Sequence, residues 1–391
     1  MFGPGRIKRT LWMMLVLVAV YIIGHVVMLT IDYSETNINT AIAQVKNLGM
    51  NQQQQQQQQQ HNDRQQVKSL GTIYSSIPKP VLPPVLSSTS SPLLVLVLSS
   101  MPRSGSTFLT ELLTNVGNSI TFYEPLWILQ KKPQCNSDSH CVSKFLEEIF
   151  TCSFDEHFEN WLKSKALFFQ YFSADAKACT EMSDKKGKKD CAKRLNLKHD
   201  CELAQIRFMK VIRARLGWME SLLEDPTVNL KIIHLARDPR GSINSIRKFK
   251  WDNEPLSRCS DLENDMDSFD SFQERFPSKV IQVNYEELCT HPIEVTSNML
   301  GFITGDSSVP DNIRHFLTNH TTNSVSNHVM STFKESKKQF EAWRYQIPAS
   351  LLKNVENEPT CLSSIKRLHH TVFGSKENVV NSSIPLLLGG D

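Results

Sequence analysis

Residues 93–109, LLVLVLSSMPRSGSTFL, decide the fold. Leu93 to Leu98 is an unbroken apolar run, the composition of a strand buried on both faces of a parallel sheet. It ends in a small, hydroxyl-rich turn from Ser99 to Thr107, after which Phe108, Leu109, Leu112 and Leu113 take up helical spacing. A buried strand that feeds such a turn and then a helix N-terminus presents backbone N–H groups and hydroxyls to an anion. Arg103 adds a fixed positive charge beside them. The expected structure is therefore an α/β fold, a central parallel sheet flanked by helices, with a phosphate-binding turn. An ordinary strand-to-helix connection is the alternative, because serine and threonine are also good helix N-caps.

The turn lacks the Gly-Lys pair of a nucleotide triphosphatase loop, whose lysine reaches the β- and γ-phosphates. The dinucleotide pattern G-x-G-x-x-G is absent as well. A second segment has the same design. Leu230 to Ala236, LKIIHLA, reads as another central strand, followed by Arg237, Asp238, Pro239, Arg240, Gly241 and Ser242 and then a helix. Arg237 at the strand end and Ser245 about a turn into the helix are expected to converge on one phosphate, a planar donor fork beside a hydroxyl. The alternative is a surface ion pair between Arg237 and Asp238, with Pro239 opening the helix.

The chain has 391 residues, a formal charge of +3 and 40% hydrophobic content, enough for one large domain with a sizeable core. So small a net charge gives no footprint for nucleic acid, and any basic site must be local. Leu11 to Ile31 contains no Asp, Glu, Lys or Arg and as a helix would be about 30 Å long, the thickness of a bilayer core. Arg6, Lys8 and Arg9 precede it, so residues 1–10 are expected in the cytosol and everything after the span on the lumenal side. Residues 32–91 read as a flexible stem: the run Gln52–Gln60 and the segment SSIPKPVLPPVLSSTSSP cannot bury enough apolar surface to fold. A tether of that length spans an r.m.s. distance of about 40–45 Å.

All nine cysteines lie beyond the span, between Cys135 and Cys361, where disulfides are expected and an odd count leaves at least one thiol over. Cys135 and Cys141 are close enough for a small loop. No C-x-x-C occurs, and no metal is expected. Sequons stand at Asn319 and Asn381.

PRSGSTFLTELL from Pro102, YEPLW at Tyr123–Trp127, LEDPTVNLKIIHLARDPRGSINS from Leu223 and VNYEEL at Val283–Leu288 resemble the Golgi carbohydrate sulfotransferases. Within them, the chain is most similar to those that sulfate the 6-hydroxyl of galactose, N-acetylgalactosamine or N-acetylglucosamine. The resemblance covers about residues 93–345, with the motifs in the expected order. It implies a nucleotide-kinase-like sulfotransferase fold over residues 92–375, followed by a C-terminal tail at 376–391. It also implies 3′-phosphoadenosine 5′-phosphosulfate (PAPS) as donor, no metal, and a glycan or proteoglycan acceptor. Residues 11–31 would then anchor a single-pass type II protein in the Golgi membrane, with the catalytic domain lumenal. A homodimer is left open, and no nucleic-acid partner is expected.

Carried over residue by residue, Arg103, Ser104, Gly105, Ser106 and Thr107 would cradle the 5′-phosphosulfate, and Arg237 and Ser245 would hold the 3′-phosphate. Arg344, in the pair Trp343-Arg344, would cap the donor; a core tryptophan beside a surface arginine is the alternative. Sulfuryl transfer needs a base for the attacking hydroxyl and positive charge on the sulfuryl and leaving-group oxygens. Glu124 is the expected base: it follows the first helix and the short ITFYE run, and so returns to the same sheet edge. Arg103 would neutralise the leaving 5′-phosphate. Lys210, in a run that alternates like a strand from Arg207 to Arg213, would assist the sulfuryl group. Sulfation of another acceptor, such as protein tyrosine, and a non-catalytic glycan-binding relative are the rival functions. The basic segment KKGKKD at Lys185–Asp190 is expected as a solvated loop.

Overall fold

The computed structural model describes residues 91–388 apart from 132, 250 and 323–334. The expected anchor at 11–31 and all but the last residue of the stem lie outside the described residues. Among the described residues, no helix is long and apolar enough to cross a membrane.

Five strands, β1 (Leu93–Ser99), β2 (Ser119–Tyr123), β3 (Ile206–Val211), β4 (Leu230–Ala236) and β5 (Val280–Asn284), form one sheet in the order β2-β3-β1-β4-β5. Every neighbouring pair is parallel, with Leu94 opposite Arg207 on one side and Leu230 on the other. The unbroken apolar run of β1 follows from this central place. Leu94, Leu96 and Leu98 enter one core with Phe122, Met209 and Ile232, while Val95 and Val97 enter a second with Leu109, Leu112 and Ile233. Both faces are covered, and each fully buried leucine contributes about 1.5–3 kcal/mol.

Residues 124–205, between β2 and β3, form a mainly helical insertion stapled by Cys135–Cys141, Cys152–Cys201 and Cys179–Cys191. A fourth bridge, Cys259–Cys361, joins helices Pro255–Arg275 and Pro359–Arg367, and Cys289 is the buried free thiol. The basic segment is a helix, Lys185–Arg194, rather than a loop. Asp184 caps it by accepting from Gly187 N at 2.5 Å, and the Cys179–Cys191 bridge ties it down, so its mostly exposed lysines sit on ordered backbone.

The domain also extends past residue 375. Val379 and Leu386 are buried with Trp343 and Phe373, so residues 376–388 are part of the core rather than a tail. Of the two sequons, Asn381 is exposed, its Oδ1 accepting from Ser383 N and Oγ, whereas Asn319 lies inside helix Asp311–Thr322.

Candidate active site

In this strand order the chain leaves β1 and β4 toward opposite edges, and the crevice between their C-terminal ends is where ligands bind in open parallel sheets. Both expected anion loops end there. The loop after β1 is fixed by its own serines. Ser99 Oγ donates to Met101 O at 2.8 Å, Ser104 Oγ lies 2.5 Å from Ser99 Oγ, and Ser100 Oγ lies 2.8 Å from His234 Nε2. The Ser104 hydroxyl is consequently turned into the protein. This corrects the expectation that it faces the donor, because a buried hydroxyl takes the partner at hand.

Arg103 and Gly105 both have left-handed backbone, φ 69° and φ 87°. Gly105 is required for a second reason: a Cβ there would stand 2.5 Å from the Tyr285 ring. Helix Ser106–Leu113 begins immediately after it, with its first N–H groups at the crevice.

Three cations crowd this end of the cleft. The Arg237 guanidinium donates to Arg103 O and lies 4.2 Å over the Tyr285 ring, while Arg103 Nε donates to Ser245 Oγ at 3.3 Å. Ser245 stands in the last turn of helix Pro239–Ile246 rather than one turn in, and Arg103 reaches across to it. Burial, and then the like charge of Arg237, pushes the Arg103 guanidinium below its ordinary value. Burial, then Arg247 and Arg103, lowers Lys248 in the same way. Arg237 Nε is buried with no hydrogen-bond partner. Crowded like charges with an orphaned donor form a site that fits an anion. Asp238 does not neutralise Arg237, as the alternative reading had it. It is fully buried, caps the helix through Arg240 N at 2.8 Å and pairs with the Arg240 guanidinium at 2.7 Å.

Glu124 stands one residue beyond β2, at the other end of the cleft. Its N–H extends the β2–β3 ladder to Lys210 O at 2.9 Å, and its own φ is 52°, a left-handed conformation that costs a non-glycine residue about 1–3 kcal/mol. Oε1 accepts from Lys210 Nζ, and Oε2 from the Arg213 guanidinium at 2.5 Å. Lys210 Nζ also lies 4.6 Å over the Tyr123 ring and Arg213 4.6 Å over Trp127, while the Tyr123 hydroxyl is 2.8 Å from Thr107 Oγ1. One carboxylate is thus oriented by two cations, each seated on an aromatic ring.

A cleft of about 560 Å³ joins the two ends. Arg103, Gly105, Ser106, Thr107, Glu124, Lys210, Arg237 and Ser245 all line it. Arg344 does not. Its guanidinium is buried and bound to the carbonyls of Val379, Asn381 and Ile384 and to Glu341, so it fastens the C-terminal segment instead of capping a donor; only its neighbour Trp343 reaches the cleft. The sequence reading missed Arg213, Tyr285, Lys248 and Trp251, although Arg213 ends the alternating run and Tyr285 lies within VNYEEL. Five cationic side chains and one carboxylate line the cleft. Among the described residues, no group of three or more His, Cys, Asp or Glu side chains could hold a metal ion.

The family model described as "Sulfotransferase family" matches residues 96–306. Human carbohydrate sulfotransferase 1 is 23% identical over 347 residues, covering 75% of this chain and 83% of its own length. Carbohydrate sulfotransferase 3 of Tetronarce californica is 25% identical over 341 residues, covering 75% and 76%. Among solved structures, the sulfotransferase domain from the curacin biosynthetic pathway matches with 15% identity and a TM-score of 0.41, over 73% of this chain and 100% of that one.

Proposed function

Because the chain belongs to the sulfotransferase family, we propose that it transfers a sulfuryl group from PAPS to the 6-hydroxyl of a galactose, N-acetylgalactosamine or N-acetylglucosamine residue in a glycan. The observation that carries this reading is the charge of the cleft: five cations against the single carboxylate of Glu124. A donor with a 3′-phosphate at one end and a phosphosulfate at the other matches that distribution, and the turn after β1 has no lysine of the kind that a γ-phosphate requires. The relatives named above, both carbohydrate sulfotransferases, support a glycan acceptor.

In this reading Arg237 and Ser245 hold the 3′-phosphate. Arg103 and the first N–H groups of helix Ser106–Leu113 hold the 5′-phosphate. The sugar oxygen forms its bond to sulfur while the bond from sulfur to the phosphate oxygen breaks. The electron pair stays on that phosphate beside Arg103, and the hydroxyl proton passes to Glu124. Protonation removes the charge that holds Lys210 and Arg213, so both cations turn to the sulfuryl oxygens as negative charge builds there. Proton transfer and sulfuryl stabilisation therefore share one switchable triad, Glu124 with Lys210 and Arg213. Residues 11–31 serve as a type II anchor in the Golgi membrane, and the four disulfides support an oxidising lumen.

The test is to incubate the full chain with labelled PAPS and a panel of glycans and tyrosine peptides, and to locate the sulfated position. Glu124→Gln is expected to lower kcat by about 10²–10⁴-fold while still binding PAP, the donor without its sulfuryl group. Label on tyrosine alone would refute the acceptor class. Undiminished turnover in Glu124→Gln would refute the base.

A further inference from the structure

A second cavity, of about 530 Å³, lies along the 3₁₀ helix Pro125–Lys131 that starts immediately after Glu124. Trp127 lines both this cavity and the candidate active-site cleft. From there a chain of ring contacts runs through the buried Phe168 to Trp161 and Phe158, which line the cavity together with Phe145. The Trp127 and Phe168 ring centroids are 6.0 Å apart, those of Phe168 and Trp161 5.7 Å, and those of Trp161 and Phe158 5.6 Å. Trp127 is 39% exposed, enough to offer a ring face to a ligand. The insertion that carries these rings is tied by the Cys135–Cys141 bridge, and both cysteines line the cavity.

The rim differs from that of the active-site cleft. Lys144, Glu148, His157 and Lys165 are exposed around it, and Asp155, also on the rim, is engaged in capping Phe158 N at 2.8 Å. Charges of both signs do not select a polyanion. An aromatic floor with a mixed hydrogen-bonding rim fits a neutral pyranose, whose C–H face packs on the negative face of an aromatic ring while its hydroxyls reach the rim. The size agrees with this, since small-molecule sites occupy about 300–1,000 Å³. So does the reach: six residues of 3₁₀ helix from Glu124 to Gln130 cover roughly 12 Å, the scale of a short oligosaccharide.

We propose that this cavity is an acceptor subsite, holding the sugar residues that adjoin the one positioned at Glu124. The inference rests on the glycan reading above and extends it: the enzyme recognises a stretch of chain rather than a single sugar.

The test uses the full chain with two acceptors of the same terminal sugar, a simple monosaccharide glycoside and a tetrasaccharide. Alongside kinetics, tetrasaccharide binding to the PAP-loaded chain is measured by saturation-transfer NMR. The expected result is kcat/KM at least about 10-fold higher for the tetrasaccharide, a preference equivalent to about 1.4 kcal/mol. Trp161→Ala should remove most of it through KM, leaving the KM for PAPS unchanged. Trp161 also packs on the core, so Lys144→Ala combined with Lys165→Ala, both at exposed positions, supplies a variant that leaves the packing intact and should raise the tetrasaccharide KM selectively. No length preference, or equal losses on both acceptors, would overturn the subsite while leaving the proposed function standing. Binding of the tetrasaccharide that depends on Trp161, without any transfer, would support the subsite and overturn the proposed function. Neither binding nor preference would overturn the subsite outright.

Discussion

Replacing Gly105 by alanine should damage the site in a way that can be separated into two parts. Its φ of 87° is left-handed, which costs an L-residue about 1–2 kcal/mol. The new methyl would also stand 2.5 Å from Cδ2 of Tyr285, a partly buried ring packed against the cluster of Trp343 and Phe373 and carrying the Arg237 guanidinium on its face. Forcing an extra carbon into packed surroundings costs about 1–3 kcal/mol. The sum is about 2–5 kcal/mol. Gly305 supplies the control, with φ 81° and nothing within 4 Å of its would-be Cβ. Gly305→Ala should therefore show only the backbone part, about 1–2 kcal/mol. The difference between the two variants, read by thermal unfolding at about 2–4 °C per kcal/mol, isolates the clash with Tyr285. That clash has a functional readout, because Arg237 is seated on the Tyr285 ring. Gly105→Ala should weaken PAP binding by calorimetry at least about 10-fold, or 1.4 kcal/mol, whereas Gly305→Ala should leave it unchanged. If Gly105→Ala unfolds no earlier than Gly305→Ala and binds PAP like the parent chain, the account of the turn is wrong.

Arg344→Ala should destabilise the fold by about 3–5 kcal/mol, the loss expected when one partner of a buried charged network is removed, yet leave the PAPS KM of the folded fraction unaltered; a selective rise in that KM would restore Arg344 to the donor site. Replacing Cys259 and Cys361 together by serine opens a loop with a sequence separation of 102, and chain entropy then predicts a loss of about 4.7 kcal/mol in denaturant unfolding; a change below about 1 kcal/mol would contradict the entropic account. His234 gives a pH dependence. Burial lowers its pKa to about 4 from 6.5, so the unfolded chain binds the extra proton between those values. Its contribution is complete above pH 6.5 and is lost as pH falls toward 4, in total about 3 kcal/mol. Unfolding of the parent chain and of His234→Gln across that range should show a shallower slope in the variant, and equal slopes would refute the assignment.

The legible parts of this molecule were those under the strictest physical constraint. A parallel strand covered on both faces must be apolar throughout, and β1 and β4 announce themselves in sequence for that reason. The turns after them stand out because arginine, glycine and hydroxyls follow in close order at a strand end, and Arg103, Arg237 and Ser245 meet there. Ser104 and Arg344 were misassigned because residue type does not reveal direction. One hydroxyl found a partner inside its own loop, and one guanidinium met carbonyls that return to it from about 40 residues later in the chain. Arg213 escaped notice because its role depends on the left-handed turn at Glu124, and no composition signal marks a glutamate at positive φ. The insertion was the least legible part: its helices are short, polar and held by bridges, and Lys185–Arg194 carries too much charge to show an apolar face.

β3 lies between β1 and β2 in the sheet, yet it is encoded after the whole insertion. As the chain emerges during synthesis, β1 and β2 are made close together but have no edge in common, and neither can complete its pairing until Ile206–Val211 appears. Meanwhile all six insertion cysteines have already been made, the last of them Cys201. Every cysteine of the insertion is therefore encoded ahead of the strand that joins β1 to β2, and β3 completes that half of the sheet as a non-local step, with β4 and β5 still to come. Glu124 acquires its backbone partner on Lys210 only at that moment, so the carboxylate end of the cleft comes into being with the last strand of its half of the sheet.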